Sequence, residues 1–277
     1  MKKVKIFLGL LFVVALTMTS CQTDSVTEVP EEQAEIENSE RAASASYDGI
    51  TTVQHNYNYN GDRFSVKYTV NNLTGDVMET AGDVERMQSY ISSGREPQGI
   101  LFTNLADIGS RAPSGQAAPS HISLDVLLFD SNEAMEAHVE RLAGSPIPST
   151  GNTSSTRGAE GPCISVSAAG VGDFYFFKHA YYDTEMTSLR RLNRFYFLNH
   201  WVGSTHNDEM SSLAVFKPAE RNSYTVLHKH SCFNGKSLAF YQGPGPVGLG
   251  VPNLSWFGLG WFGNWNDEVS SMYGYSW

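Results

Sequence analysis

NDEMSS at residues 207–212 returns almost unchanged as NDEVSS at 266–271; only the fourth letter differs. Asn, Asp and Ser are turn formers whose short side chains bond nearby backbone, so each hexamer reads as a turn. Each leads into a strand-like segment, LAVF (213–216) after the first and MYGY (272–275) after the second. Upstream of the first lies FKHAYYDT (177–184), with Phe177 and Tyr182 five apart. Upstream of the second lies HKHSCFNGKSLAFY (228–241), with His228 and Phe233 five apart and Gly235 two further on. Hairpin, long middle, turn and last strand thus occur twice, as two units of about fifty residues.

The surrounding region, 163–277, carries short strand candidates separated by turns: CISVSAAG, DFYFFKHAY, RFYFLNHW, LAVFKP, SYTVLHKH, KSLAFYQ and MYGYSW. That pattern predicts an all-β sandwich. Over about 172–277 it resembles the βγ-crystallin domains, which are built from two Greek-key motifs. Each motif of that family has an aromatic, four residues, an aromatic, one residue and Gly. Each also has a turn of two Asn/Asp residues, two arbitrary residues, Ser/Thr and Ser. Both hexamers satisfy the turn pattern. In the hairpins, His228 replaces the first aromatic of the second unit and Thr184 stands where Gly is usual in the first.

The resemblance implies Ca²⁺, a cation that takes six to eight oxygen ligands and accepts backbone carbonyls. One implied site has the Asn207 carbonyl, the Asp208 carboxylate and the Ser211 hydroxyl, with the Lys229 carbonyl across from them. The other has Asn266, Asp267 and Ser270, with the Lys178 carbonyl across. Ser212 and Ser271 are expected to stabilise the turns, and the third position, Glu209 or Glu268, is free in the pattern. One carboxylate per site implies a modest Kd, roughly 10⁻⁶ to 10⁻³ M. A metal-free turn is the competing reading of the same letters.

The rest of the chain sets the context. It has 277 residues and a formal net charge of -10, which argues against nucleic-acid backbones as partners and suits cations. It is 41% hydrophobic and only 17% charged, a balance that favours strands and turns over solvated helices. Residues 1–20 open with MKKVK, continue as IFLGLLFVVAL and reach TMTSC at Cys21. A basic start, a short apolar core and small residues read as a secretory signal. The cysteine at its end makes it resemble a bacterial lipoprotein signal, which is cut before a cysteine that is then acylated, for example with palmitate. The localisation implied is the cell envelope, with a lipid anchor in the outer membrane or at the cell surface. Residues 21–45 are acidic and nearly free of aromatics, too polar to offset their ordering entropy, and read as a tether. Outside the cytosol, Cys163 and Cys232 are either a disulfide or two buried thiols; both readings stay open.

Residues 46–145 predict a small α+β module in the order β-β-β-α-β-β-α. TTVQHNYNYN and RFSVKYTVN flank an NGD turn, GDVMETAG is a third strand, and DVERMQSYISSG is a helix ending at Gly94. GILFTN and HISLDVLLFD are further strands. DSNEAMEAHVERLAG is a helix capped by Asp130 with Glu133 three residues on, and Met135, Val139 and Leu142 form its apolar face. Residues 146–162, rich in Gly, Ser and Thr, are a linker. The fold expected is therefore an α+β N-terminal module followed by an all-β Greek-key sandwich, 163–277.

Weaker signals remain. His179, His228 and His230 lie close to the hairpins and with Cys232 invite a zinc reading, but the H-x-H-x-C run of the second hairpin lacks the second ligand pair of a zinc site. WFGLGWFGNW (256–265) is either core or a platform for carbohydrate or membrane. Asp125, Asp130, Glu133, His138 and Glu140 offer acid–base groups at no committing spacing, and GxSxG, HExxH and a Walker loop are absent. The function expected is a non-enzymatic, calcium-stabilised binding or structural role, with any carbohydrate or protein ligand unknown. The alternative is a secreted enzyme or enzyme inhibitor acting through 46–145.

Overall fold

The computed structural model describes residues 49–103, 105, 119–147, 173–184, 207–245, 248–258, 260–261 and 263–277, with 200–201 and Cys232 described by backbone alone. The described chain is mostly β, with one large mixed sheet and few helices.

Strands β1 (Ile50–Tyr59) and β2 (Asp62–Asn71) form a hairpin whose turn has Asn60 at φ 52° and Gly61 at φ 86°. Two successive positive φ values match the twist of the flanking strands, which is why Asn-Gly sits there. Val53, Tyr57 and Tyr59 of β1 and Phe64, Val66, Tyr68 and Val70 of β2 alternate into the core. β3 (Val77–Gly82) is an exposed edge strand. Helix α1 (Val84–Ser92) buries Met87, and the Asp83 carboxylate before it accepts from the Ser65 N–H at 2.9 Å. Strands β4 (Gly99–Phe102) and β5 (His121–Phe129) follow.

Helix α2 (Asn132–Ala143) departs from expectation at both ends of its reading. Ser131, not Asp130, caps it, accepting from the Ala134 N–H at 3.2 Å. The Asp130 carboxylate is taken by the Tyr59 hydroxyl and the Asn60 amide. Met135 and Val139 are buried, but Leu142 is 48% exposed; Ala143 and Ile147 pack on the core at that end of the helix instead.

β6 (Asp173–Phe177), β7 (His200–Trp201), β8 (Ser212–Phe216), β9 (Ser223–His230), β10 (Asn234–Gln242), β11 (Gly248–Val251) and β12 (Ser271–Ser276) complete the described strands. Their order among the described residues is β3-β2-β1-β5-β4-β10-β9-β12-β7 in one sheet and β11-β8-β6 in the other. β11 escapes a sequence reading because GLGV has neither alternation nor aromatics.

The compositional boundary at 146–162 does not separate two sheets. β4 pairs in parallel with β10, placing Ile100 beside Leu238 and Phe102 beside Phe240. β4 lies between β5 and β10, and all four of its residues are buried. The core likewise joins Val53, Tyr57 and Tyr68 to Leu227, Phe240 and Trp256, and all the described residues fall within one compact unit.

The two sheets share a core at the C-terminal end, where Phe174, Leu213, Val215 and Val251 cluster with Leu227, Leu238 and Met272. Gly274 allows a close approach: a Cβ there would lie 2.4 Å from the Phe174 ring. The two repeat units exchange strands. β7 of the first pairs with β12 of the second, and β11 of the second pairs with β8 of the first. β12 returns to lie beside β9, and β8 beside β6.

Candidate metal centre

The two hexamers meet at the ends of β8 and β12. Asp208 has φ 57° and Asp267 φ 55°, a left-handed conformation that Asp tolerates better than most residues. The turns clasp each other through reciprocal backbone bonds: Asp208 N–H to the Val269 carbonyl at 3.3 Å and Asp267 N–H to the Met210 carbonyl at 3.1 Å. Each also holds its own hairpin. Ser211 N–H donates to the Phe177 carbonyl at 3.0 Å and Ser270 N–H to the His228 carbonyl at 2.9 Å. The Ser212 and Ser271 hydroxyls donate to the His179 and His230 carbonyls, both at 2.6 Å. They accept from Tyr182 N–H at 3.1 Å and Phe233 N–H at 3.0 Å, which makes them turn stabilisers.

Acid and hydroxyl pair between hexamers rather than within one. Ser211 Oγ lies 3.2 Å from Asp267 Oδ1, and Ser270 Oγ lies 3.2 Å from Asp208 Oδ1. The hydrogen bonds thus run crosswise to the grouping expected within each hexamer, Asp208 with Ser211 and Asp267 with Ser270, because the clasped turns bring each carboxylate to the opposite strand end. The Lys178 carbonyl is 2.7 Å from Ser211 Oγ, in the cluster that holds Asp267. The Asn207 and Asn266 amides donate to Asp208 Oδ2 at 2.5 Å and Asp267 Oδ2 at 2.7 Å, orienting each carboxylate so that Oδ1 faces the serine.

The donor set suits a hard cation. Ser211 has one hydroxyl proton and faces two acceptors, the Lys178 carbonyl and Asp267 Oδ1, so the three oxygens are short of a positive partner. Burial pushes the Asp267 carboxyl above the usual carboxylate range; the Ser211 hydroxyl and His179 oppose that rise, and the Glu209 and Asp208 charges add to it. Among the described residues no group of three or more His, Cys, Asp or Glu side chains gathers as a metal site. A site of one carboxylate, a hydroxyl and carbonyls is of a different kind, the kind Ca²⁺ accepts.

Two lysines flank the clusters. Lys178 Nζ pairs with Glu209 at 3.2 Å and Lys229 Nζ with Glu268 at 3.1 Å. Lys229 also lies over the Trp265 ring, 5.5 Å from its centroid. Sequence reasoning left both glutamates as free positions of the pattern. Their signal is the repetition itself, the same Lys and Glu at matching positions of both units.

The first hairpin forms despite its missing glycine. Thr184 adopts φ 50°, matching Gly235 at φ 77° in the second unit. A β-branched residue is strained in this region. Thr184→Gly is therefore expected to raise stability by about 1 kcal/mol in chemical denaturation, relief of strain outweighing the entropy of the added glycine.

The remaining candidates do not assemble. His228 is buried against Phe233 and Tyr273 while His230 is exposed, so these two histidines do not face one site; the Cys232 side chain lies outside the described residues. Cys21 and Cys163 lie outside the described residues. Trp256, Phe257, Trp261 and Trp265 are buried in the core, which removes them as an exposed platform. Asp125 accepts from Asn56, Glu140 accepts from the Ile147 N–H, and His138 packs on Phe129. Tyr59, Asn60, Gly94, Arg95, Glu96 and Asp130 line a pocket of about 450 Å³. Among the described residues no helix is long and apolar enough to cross a membrane.

Compared with models of known protein families, with curated proteins and with solved structures, the chain matches none of them.

Proposed function

We propose that the chain is a lipid-anchored protein of the bacterial cell envelope whose C-terminal part is a calcium-binding βγ-crystallin-like domain with a non-enzymatic binding or structural role. The observation that carries the calcium reading is the reciprocal pairing of the hexamers, Ser211 with Asp267 and Ser270 with Asp208, each at 3.2 Å. One Ca²⁺ would be held by the Asp267 carboxylate, the Ser211 hydroxyl and the Lys178 carbonyl. The second would be held by the Asp208 carboxylate and the Ser270 hydroxyl, with the Lys229 carbonyl supplied by the repeat. The Asn207 and Asn266 carbonyls complete the proposed sets. Bound there, the ion ties the ends of β8 and β12 to both hairpins. The Greek-key reading is supported by the return of β12 beside β9 and of β8 beside β6, with a middle strand of each unit placed in the other's sheet.

Calorimetric titration of the full chain with CaCl₂ tests the reading. Two sites are expected, with Asp208→Ala and Asp267→Ala each removing one. Absence of calcium heat from the unaltered chain overturns it.

Anchoring rests on the basic, apolar and small-residue run that ends at Cys21. The chain expressed in a bacterium is expected to take up labelled palmitate and partition into detergent, and Cys21→Ala to abolish both. Retention of label by that variant contradicts the anchor.

A further inference from the structure

The Lys178 carbonyl enters one oxygen cluster and Lys229 holds the matching position of the second hairpin, and both residues carry ammonium groups on long, flexible side chains. Lys178 is the clearest case, since its own carbonyl lies 2.7 Å from Ser211 Oγ, which touches Asp267. An ammonium at Asp267 would neutralise the one carboxylate of that cluster and occupy the cation's place. It is instead held 3.2 Å from Glu209, the third residue of the first hexamer. The second unit repeats the arrangement, with Lys229 3.1 Å from Glu268 at the same hexamer position. Surface ion pairs contribute little to folding, so stability alone does not account for the same pair occurring in both units.

We propose that Glu209 and Glu268 are positioning residues that hold the Lys178 and Lys229 ammonium groups away from the oxygen clusters and so set their affinity for divalent cations. This rests on the calcium reading above. The units differ in one respect that the proposal uses. Lys229 is retained by a second contact, the Trp265 ring at 5.5 Å, and its side chain is 18% exposed against 43% for Lys178. Loss of Glu268 therefore frees its lysine less than loss of Glu209.

The test is a double-mutant cycle read by CaCl₂ calorimetry on the full chain in detergent. Glu209→Gln is expected to weaken one site about tenfold, the scale of one added like charge near a partly screened cation. Glu268→Gln is expected to weaken the other by about threefold or less, because the cation–π contact remains. Lys178→Met keeps the backbone carbonyl and removes the ammonium. Combined with Glu209→Gln it is expected to restore affinity to within about threefold of the unaltered chain. The melting temperature in chelator is expected to be the same for all variants, which separates a positioning role from a structural one. Two results overturn the proposal with the calcium sites intact: Glu209→Gln binding Ca²⁺ as tightly as the unaltered chain, or the double variant remaining as weak as Glu209→Gln. An unaltered chain that binds no Ca²⁺ overturns the calcium reading itself, and the proposal with it.

Discussion

Lowering the pH from 7 to 4 is expected to remove about 3 kcal/mol of stability through a single residue, His55. Its side chain is fully buried between the two parts of the chain. Nε2 is 2.9 Å from the Trp256 carbonyl, which can only accept, so Nε2 carries the proton. Nδ1, 2.9 Å from the Tyr57 hydroxyl, accepts. Tyr57 is in turn 3.0 Å from the Tyr68 hydroxyl, and the rings of Tyr57, Tyr68 and Phe102 stand edge-on to the imidazole. Burial among these groups lowers the His55 pKa from 6.5 to about 4, against a small opposing effect of the Trp256 carbonyl. The unfolded chain therefore binds more protons than the folded one between those two values. Stability is complete above pH 6.5 and falls as the pH drops toward 4. His138, lowered by burial and Arg141, acts in the same direction, whereas the raised Asp267 acts in the opposite one. Urea unfolding across this range, compared with His55→Gln, isolates the residue. The variant is expected to start less stable, having lost the fit to the Trp256 carbonyl, and to show a slope shallower by about 3 kcal/mol over the window. Equal slopes would show that His55 is not the buried neutral group described.

How much of this was legible depends on whether the signal was local. Binary alternation and an Asn-Gly turn are local, and β1 and β2 lie where the letters put them. The cap of α2 was misread because Ser131 and Asp130 are both good caps by composition; only the Tyr59 hydroxyl, far away in sequence, decides which is free to serve. The union of β4 with β10 was invisible for a similar reason. A four-residue apolar strand has no alternation to reveal its neighbours, and the low-complexity stretch after α2 looks like a domain boundary. At the candidate metal centre, the hexamers pointed to the residues that come together. Their crosswise pairing could not be read from one hexamer at a time, since it arises when two left-handed aspartates face each other. The Lys–Glu pairs were visible only as a repetition without an evident purpose.

Calcium is expected to raise the melting point of the full chain, because a ligand that binds only the folded state stabilises it by RT ln(1 + [L]/Kd), about 2.7 kcal/mol per site at a hundred times Kd. Mg²⁺ is expected to do less, since it demands a tighter octahedral shell and keeps its waters. Ser211→Ala and Ser270→Ala each lose one neutral oxygen and are expected to reduce the shift only in part. Asp208→Ala and Asp267→Ala each remove the sole carboxylate of a cluster. The decisive measurement is the difference in melting temperature between calcium and chelator for the double variant Asp208→Ala/Asp267→Ala. Calcium-binding hexamers predict that this difference vanishes while the unaltered chain keeps it. A double variant that retains the full calcium-dependent shift would mean that the paired hexamers are turns and nothing more.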